Sequence, residues 1–454
     1  MKPGISDLPL NGFRATSSEE ILPPGVMRSL LPFLGVLYGF VLPAGAIPNQ
    51  IGGFLARAES PLNDTEIGDQ LLDPALWSGE RKLPGNWLAE APIGTVAASY
   101  LAARPRVFGV TAVIVQARHR TDRLDSLAIT FADAGSYFGY LDEKLPPGLS
   151  RREREAELQR RLTGKQREFN NFFRDTTTTL KDALRDRADT RPREGQIGKT
   201  RTLRAEVIDY RKDELLLRLI VGGERLLRVI IQPAESATRE WLDPGRSGLS
   251  DRELGQVYEA RVTRTRTGDV QIDDLPVVPQ GYKPYCGLNT LTMAARYFGL
   301  HLDEDWLAVA GKFQNTGSAA GSQIPRLYLA VAREAGLDLH KSNDFSVSEA
   351  RNSLDRGLPV VVWRRFSAER NRVHSQQTIQ SARNPGFRIP QPDTATRSSW
   401  PGEKAPLHAS VVVGYNAERR EVLFLESWAG MDTPRRMRAE ELSATAYLTF
   451  YFKR

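Results

Sequence analysis

The chain has 454 residues, of which 41% are hydrophobic and 26% are charged, so a packed core and more than one domain are expected. The net charge of +7 comes from 62 basic and 55 acidic residues, and the arginines are mostly interleaved with Asp and Glu, which argues against a nucleic-acid-binding protein. A single cysteine excludes an intramolecular disulfide and a cysteine-cluster zinc site, and the five histidines show no metal-ligand spacing. We therefore predict neither a metal nor another cofactor.

An apolar run near the N-terminus predicts export. It begins at Met27, continues through about 16 mostly apolar residues and ends in a small-x-small pattern, which is the layout of a secretory signal peptide. We predict a signal peptide at 27–46, with translation starting at Met27 rather than Met1, and a periplasmic or secreted protein. An uncleaved membrane anchor at 29–46 is the alternative, although two prolines and a run shorter than the ~20 residues of a spanning helix disfavour it.

The region 47–190 is predicted to be an α+β domain of unknown role. The segments 110–118 and 126–135 are rich in β-branched residues and indicate strands. Ser150 and Glu153 have capping-box spacing and predict the start of a long helix, whose apolar residues recur at steps of three, four or seven. The four threonines 176–179 are expected to weaken or break this helix.

Residues 196–265 are predicted to form a small β-barrel of the SH3 type. Three strand-like runs follow a linker at 191–198, and Gly222-Gly223 provides a hairpin turn between the last two runs. The end of this region weakly resembles the barrel-then-helix modules that accompany enzymes in exported bacterial proteins. We expect a structural or recognition role.

The only cysteine lies where an irregular Gly/Pro segment changes into a helical pattern, in VPQGYKPYCGLNTLTMAARYFG (278–299). The apolar residues after Cys286 recur at helical spacing until Gly299, so Cys286 and Gly287 lie in the first turn of a predicted helix. Unpaired N–H groups and the helix dipole stabilise a nucleophilic thiolate there. Gln280 and the backbone N–H of Cys286 are candidate donors to an oxyanion. The alternative is a buried thiol without a chemical role.

His408 is the candidate base. It begins the apolar strand HASVVVGY, which is followed after NAERR by the strand EVLFLESW. A hairpin centred on Ala417 would place His408 directly opposite Glu426, whose carboxylate would hold the imidazole in the reactive tautomer. A slip of one residue would move Glu426 to the other face of the sheet.

These segments resemble the papain-like cysteine peptidases, in particular the branch of the bacteriocin-leader (double-glycine) processing peptidases. The resemblance covers about residues 272–454, and it rests on LPVVPQ before the cysteine, on Met293, Tyr297 and Gly299 in the family's register, and on GLPVVVWRRF, HASVVVGY and ESWAG. It implies a papain-like domain in which a cysteine helix packs on an antiparallel sheet. By the same resemblance, Cys286 is the nucleophile, His408 the base, Glu426 the orienting acid, Gln280 the oxyanion donor and Trp428 a shield over the His–Glu contact, with Gly287 in support.

The sequence also departs from the family's pattern. Glu426 occupies a position at which the family has Asp or Asn, and Asn289 replaces a small residue after Cys-Gly. A polar insertion at 367–405 is expected near the mouth of the cleft as a lid or substrate-selecting loop. It contains His374, which is a weaker candidate for the base because no strand or acidic partner follows it.

Taken together, the patterns predict an α+β multidomain protein: an N-terminal α+β domain, a small β-barrel and a papain-like domain at 272–454. We predict an exported cysteine peptidase that cleaves peptide or protein substrates through a thioester on Cys286, with no nucleic-acid partner. Membrane contact is expected only if the N-terminal segment stays uncleaved. Two alternatives remain: an amidase acting on cell-wall or γ-glutamyl bonds with the same residues, and an inactive papain-like module that binds peptides.

Overall fold

The computed structural model describes residues 59–139, 145–281, 283–313 and 323–454. All of them belong to one compact unit, Gly45–Arg454. The predicted signal peptide at 27–46 and the alternative anchor at 29–46 lie outside the described residues. Within the described ranges, no helix is both long and apolar enough to cross a membrane.

The first part of the described chain forms one antiparallel sheet of eight strands, which we call the N-terminal sheet. The spatial order of its strands is β1-β2-β5-β6-β10-β9-β8-β7, and β3 pairs with β4 outside it. The elements in chain order are α1 (Gly68–Leu71), α2 (Pro74–Ser78), β1 (Trp87–Ile93), β2 (Val96–Leu101), β3 (Arg106–Val107), β4 (Val110–Thr111), β5 (Ile114–Arg120), β6 (Arg123–Asp133), α3 (Ala134–Phe138), α4 (Arg151–Arg187), β7 (Arg193–Ile197), β8 (Ala205–Lys212), β9 (Leu215–Gly222) and β10 (Leu226–Pro233).

The structure differs from the predicted separate barrel at 196–265. Three long strands are present there, but β10 also pairs with β6, from Leu226↔Asp133 to Ile231↔Leu127. The strands on both sides of position 190 therefore share one sheet, with β1 and β7 at its edges. Most residues of β6 and β10 are buried. Such strands lack the clear alternation that would reveal their neighbours, which explains why the sequence did not predict this pairing.

The helix α4 begins where the sequence predicts, with Ser150 and Glu153 forming a complete capping box. It does not break at the four threonines and continues to Arg187. The hydroxyls of Thr177, Thr178 and Thr179 donate to the carbonyls four residues earlier, at 2.7, 3.2 and 3.0 Å, so these polar groups are satisfied within the helix. Its apolar face packs on one side of the N-terminal sheet.

The second part of the chain forms a further antiparallel sheet, which we call the C-terminal sheet. Its order is β11-β12-β15-β14-β18-β13, and β16 joins β15 to β17. The elements in chain order are α5 (Pro244–Ser247), α6 (Asp251–Glu259), β11 (Val262–Arg264), β12 (Asp269–Ile272), α7 (Cys286–Tyr297), α8 (Glu304–Ala310), α9 (Ile324–Glu334), β13 (Asp338–Ser342), α10 (Val347–Leu354), β14 (Val360–Arg365), α11 (Ala368–Arg383), α12 (Thr394–Ser398), β15 (Leu407–Asn416), β16 (Glu421–Leu425), β17 (Arg435–Arg438), α13 (Ala439–Thr445) and β18 (Ala446–Lys453).

The helix α7, which we call the Cys helix, is buried in a core that both sheets share. Leu288 and Leu291 of the helix, Val411 of the C-terminal sheet and Ile220 of the N-terminal sheet belong to this core. The next residue of β9, Leu219, belongs to a second core that includes α4. Because neighbouring residues of a strand point to opposite faces, the N-terminal sheet is apolar on both sides. It separates α4 from the Cys helix.

The hairpin β15–β16 forms, but its predicted register is wrong by two residues. Asn416 pairs with Glu421, so the turn holds residues 417–420 rather than being centred on Ala417. The pairing at the turn thus differs from the predicted one by three residues. A bulge between Val412 and Gly414 reduces this difference to two, and Val411 pairs with Leu425. The total shift of two residues keeps the face of each side chain, because strand side chains alternate with a period of two.

The insertion at 367–405 is ordered by buried ionic contacts. It contains α11 and α12, and the Nε2 atom of His374 lies 2.8 Å from Glu441 Oε1. Arg370 donates two hydrogen bonds to the same carboxylate. The expectation that His374 has no acidic partner is therefore wrong. None of the residues 367–405 lines the cleft at Cys286 described below.

Candidate active site

Cys286 is the first residue of the Cys helix, and no side chain caps this helix end. The Cys286 sulfur accepts hydrogen bonds from two backbone N–H groups, those of Ala409 on β15 and of Gly287. Burial raises the pKa of the Cys286 thiol. The hydrogen bond and charge of His408, together with the two N–H groups, outweigh burial and hold this pKa below its ordinary value.

His408, on β15, lies between the thiol and a carboxylate. Its Nε2 atom is 2.6 Å from Glu426 Oε2, which leaves Nδ1 for the hydrogen bond with Cys286. Burial lowers the pKa of His408. The charge of Glu426 and the hydrogen bonds with Cys286 and Glu426 outweigh burial and raise this pKa to about 9. The two shifts together favour a thiolate–imidazolium pair near neutral pH.

Glu426 is fully buried and shares its two oxygens among several groups. Its Oε1 accepts a hydrogen bond from Arg364 at 2.8 Å, and its Oε2 accepts one from the Ser410 hydroxyl at 3.0 Å. Arg435 lies 3.7 Å from Oε1. Burial raises the pKa of Glu426, but the charges of His408 and Arg364 outweigh it and keep the carboxyl ionised.

Aromatic rings cover the His–Glu contact. The ring of Trp428 stacks on His408, with 4.9 Å between centroids and 26° between planes. Phe366 lies 5.3 Å from His408 and 5.9 Å from Trp428, measured between ring centroids. Trp428 thus lies over His408, and its role as a shield stays a prediction. A ring on this side limits the access of water to the ion pair and strengthens it.

Gln280 lies between the loop after Glu426 and the segment before the cysteine. Its Oε1 accepts from the Ser427 hydroxyl at 2.9 Å, and its backbone N–H donates to the Ser427 carbonyl at 2.8 Å. Its Nε2 donates to the Lys283 carbonyl at 3.4 Å. The backbone N–H of Cys286, as the first of the helix, has no acceptor within that helix. The oxyanion role of Gln280 and of this N–H stays a prediction.

Two further residues shape the Cys helix at this end. A side chain at Gly287 would lie 2.1 Å from the ring of Trp363, so glycine allows this tryptophan of β14 to approach the helix. Asn289 is fully buried, and its Nδ2 donates to the Val278 carbonyl at 3.2 Å. The residue that departs from the family's pattern therefore ties the helix to the strand-like segment before Gln280.

A cleft of about 900 Å³ opens over the cysteine. Leu407 and Tyr447 are 42% and 51% exposed, and both line this cleft. Its other lining residues are Pro284, Cys286, Gly287, Leu288, Phe313, Ile324, Pro325, Lys341, Asn343, Trp363, Arg365, Pro406, Ala446 and Leu448. Exposed apolar side chains that line a cleft are typical of a binding site for an extended ligand.

Arg364 and Ser410 also belong to the site, although neither was predicted from the sequence. Arg364 is the direct cross-strand partner of His408, and its Nε also donates to Ser410 at 3.1 Å. A signal was available for both residues: Ser410 follows His408 by two positions, and Arg364 is a charged residue in the otherwise apolar run VVVWRRF. Their role became visible only after β14 and β15 were paired.

A family model matches the C-terminal part of the chain. Residues 271–453 match the model of the Peptidase_C39 like family. A search of curated proteins gave no match. A crystal structure described as that of a C39-like peptidase from Bacillus anthracis shares 15% identity, over 41% of this chain and 98% of that one, with a TM-score of 0.27. The family match supports a C39-type cysteine peptidase domain at 271–453.

Proposed function

We propose that the protein is a cysteine peptidase that hydrolyses peptide bonds through a thioester on Cys286. The observation that carries this proposal is the continuous series Cys286, His408 and Glu426, in which the imidazole contacts both the thiol and the carboxylate. A thiolate held by an imidazolium and two backbone N–H groups is a prepared nucleophile. The family match at 271–453 agrees with this chemistry.

The proposed reaction uses only groups that this chain provides. The Cys286 thiolate attacks the scissile carbonyl carbon, and the Gln280 amide and the Cys286 N–H stabilise the oxyanion that forms. His408 then gives the proton on Nδ1 to the leaving amine, and the thioester remains. His408 next takes a proton from water, which attacks the thioester and releases the acid and the thiolate. Glu426 keeps the imidazole oriented throughout.

The chain contains a single cysteine, so a thiol reagent reports on Cys286 alone. We expect iodoacetamide to alkylate Cys286 faster than free cysteine between pH 6 and 8, and His408→Ala to abolish that advantage. His301→Ala is a matched control, because the His301 ring also contacts a buried carboxylate, that of Asp243 at 3.2 Å, and the charged groups that act on it are Asp243, Arg118 and Asp125. Mass spectrometry of the labelled protein measures each rate. Equal rates for wild type and His408→Ala would remove the basis of the proposal.

Hydrolysis distinguishes the peptidase from its alternatives. We expect the wild type to cleave pools of quenched fluorescent peptides and Cys286→Ser to cleave none. Cleavage of cell-wall or γ-glutamyl amides without cleavage of peptides would favour an amidase with the same residues. A fast-alkylating protein that cleaves neither class would favour the inactive peptide-binding module.

We also propose that the protein is exported, because residues 27–46 have the pattern of a signal peptide. Expression of the full chain, cell fractionation and N-terminal sequencing of the product test this proposal. A mature N-terminus near residue 47 supports it, and an intact N-terminus in the cytoplasmic fraction contradicts it.

A further inference from the structure

The cleft over Cys286 carries charge of one sign. Its charged lining residues are Lys341 and Arg365, and none of its described lining residues is acidic. Neither cation forms a salt bridge within the described part of the chain, whereas the buried Arg364 and Arg435 lie 2.8 and 3.7 Å from the Glu426 carboxylate. Two cations without a counter-ion beside a nucleophile can interact with a ligand.

The strand pairing places Lys341 and Arg365 on the same side of the cleft as the apolar residues Trp363 and Leu448. Trp363 and Arg365 are two residues apart on β14 and so share a face, and Trp363 pairs with Leu448 of β18. Two residues further along β18, Phe450 pairs with Lys341 of the edge strand β13. Arg365 and Lys341 therefore flank β18 on its two sides, with apolar side chains between them.

We infer that the substrate is a segment with one or more acidic residues next to apolar ones, bound with its carboxylates at Lys341 and Arg365 and its apolar side chains against Leu407, Tyr447 and Leu448. This inference deepens the proposed peptidase function and rests on it. Opposite charge across a cleft gives specificity and a faster encounter, and each exposed pair changes affinity by about two- to fivefold.

Binding to Cys286→Ala protein tests the inference without catalysis. The probes are pools of labelled hexapeptides in which a fixed Glu, Gln or Lys is moved through each position and apolar residues fill the others. We expect the best Glu pool to bind about tenfold more tightly than its Gln counterpart in 50 mM salt, and less so in 500 mM salt. Added Lys341→Glu and Arg365→Glu substitutions should turn the preference towards Lys.

Lys453→Glu is the matched control. Lys453 lies on the same strand pair, where it is opposite Asp338, but it does not line the cleft. Reversing the charge of Lys453 should leave the preference for Glu peptides over Gln peptides unchanged. The inference is overturned if Glu and Gln pools bind equally at every position, or if the preference for Glu remains after Lys341→Glu and Arg365→Glu. Failure of the peptidase proposal is a separate result, because it appears as absent hydrolysis by the wild type.

A second, independent observation concerns the segment that leads into the nucleophile. Lys283 is buried, and its Nζ lies 2.9 Å from Asp133 Oδ2 and 2.6 Å from Asp305 Oδ1. Asp133 ends β6 of the N-terminal sheet and caps α3 through the N–H of Gly135 at 2.8 Å. The ammonium therefore joins the N-terminal sheet to the peptidase domain three residues before Cys286.

A steric contact acts at the same place. A side chain on Gly135 would lie 2.6 Å from the hydroxyl of Tyr285, so the buried ring of Tyr285 rests directly on α3. The Lys283 carbonyl also accepts hydrogen bonds from Gln280 Nε2 and from the Tyr285 N–H, the latter at 2.8 Å. The contacts of Lys283 and Tyr285 with the N-terminal sheet thus hold the backbone of residues 283–286 beside the Gln280 side chain.

We propose that the N-terminal sheet is a positioning element of the active site rather than a removable pro-region, acting through Asp133 and Gly135 on Lys283 and Tyr285. Misplacement of reacting groups by about 1 Å can reduce a rate on the order of 100-fold. The sheet does not line the cleft, so its perturbation should lower kcat and leave KM within about twofold.

Gly135→Ala tests this proposal from the N-terminal side. The substitution inserts a methyl group against Tyr285, and we expect kcat to fall by at least about tenfold. Gly164→Ala is the matched control, because Gly164 also lies in a helix but has open space at its Cβ position. An unchanged kcat in folded Gly135→Ala protein, or an equal loss in Gly164→Ala, overturns the proposal.

A second pair of variants covers the case in which Gly135→Ala does not fold. Asp133→Asn keeps a capping oxygen and removes the charge, and we expect the same loss of kcat. Asp243→Asn is its control: Asp243 is buried, bonds Arg120 of the N-terminal sheet at 2.9 Å and caps α5. It should lower the melting temperature without lowering kcat at 25 °C. Similar kcat values for the two variants contradict the proposal.

Discussion

Replacement of Glu426 by Gln isolates the charge that keeps His408 protonated. With the carboxylate present, the pKa of His408 is about 9. Without it, burial and the nearby charges of Arg364 and Arg435 oppose the imidazolium while the contact with Cys286 still favours it, so this pKa should fall towards the ordinary histidine value of about 6.5. At pH 7.5 the protonated fraction of His408 then falls from nearly all molecules to roughly one tenth.

Alkylation of Cys286 between pH 5 and 10 measures this change. We expect the rate in Glu426→Gln protein at pH 7.5 to be about tenfold lower than in wild type, because the thiolate loses its imidazolium partner. Peptide hydrolysis should fall by at least the same factor. Loss of one partner of a buried pair costs about 3–5 kcal/mol of folding free energy, so thermal unfolding must show that the variant is folded at the assay temperature.

Glu421→Gln is the control for the loss of a buried carboxylate. Glu421 lies at the start of β16, accepts from the Ile389 N–H at 2.9 Å and pairs with Arg436 at 3.3 Å. It should lower stability without changing the alkylation profile. If folded Glu426→Gln protein has the wild-type rate and pH dependence from pH 6 to 10, Glu426 does not set the charge of His408, and the reasoning fails.

Three further outcomes follow from the site. The kcat/KM of the wild type should have a bell-shaped pH dependence. It should rise through the lowered pKa of Cys286 and fall as the pH passes about 9, because His408 then loses the proton that the leaving amine needs. A profile without an alkaline limb would contradict this. Trp428→Ala should admit water to the His–Glu contact, weaken it and reduce peptide hydrolysis, whereas Trp428→Phe should reduce hydrolysis less; equal hydrolysis by wild type and Trp428→Ala would contradict this. Gly287→Ala should displace Trp363, lower the free energy of unfolding in urea by about 1–3 kcal/mol and reduce peptide hydrolysis. Wild-type stability and hydrolysis in this variant would show that Gly287 and Trp363 are not in tight contact.

The parts of the site that were predictable are those that depend on local pattern. Helical spacing after Cys286 located the Cys helix, and the run beginning at His408 located β15. Both are decided by the order of apolar residues within about a dozen positions. The capping box at Ser150 located the start of α4 for the same reason, since its two hydrogen bonds join residues three apart.

The parts that were not predictable depend on which strands become neighbours. The pairing of β6 with β10 joins residues about 100 positions apart, and both strands are too uniformly buried to reveal a partner. This pairing puts the N-terminal sheet beside the Cys helix and brings Asp133 to Lys283. A lysine in a Gly/Pro segment is usually solvated, so the local pattern did not predict that Lys283 would be buried between carboxylates.

The observed strand register explains why a glutamate, and not an Asp or Asn, can serve at position 426. Continued beyond the pair Val411↔Leu425, the register sets Glu426 beside Ser410, so His408 is its diagonal neighbour. Diagonal neighbours on one face are about 7–8 Å apart, against 4.5–5.5 Å for direct partners.

The extra methylene of glutamate, compared with Asp or Asn, extends the carboxylate towards the imidazole and allows the 2.6 Å contact with Nε2. The same length lets the other oxygen reach Arg364. Shortening by Glu426→Asp should therefore weaken the His408 contact although the charge is kept, with an alkylation rate between those of wild type and Glu426→Gln. In this register glutamate serves the contact better than aspartate would, and its presence is not an argument for an inactive site.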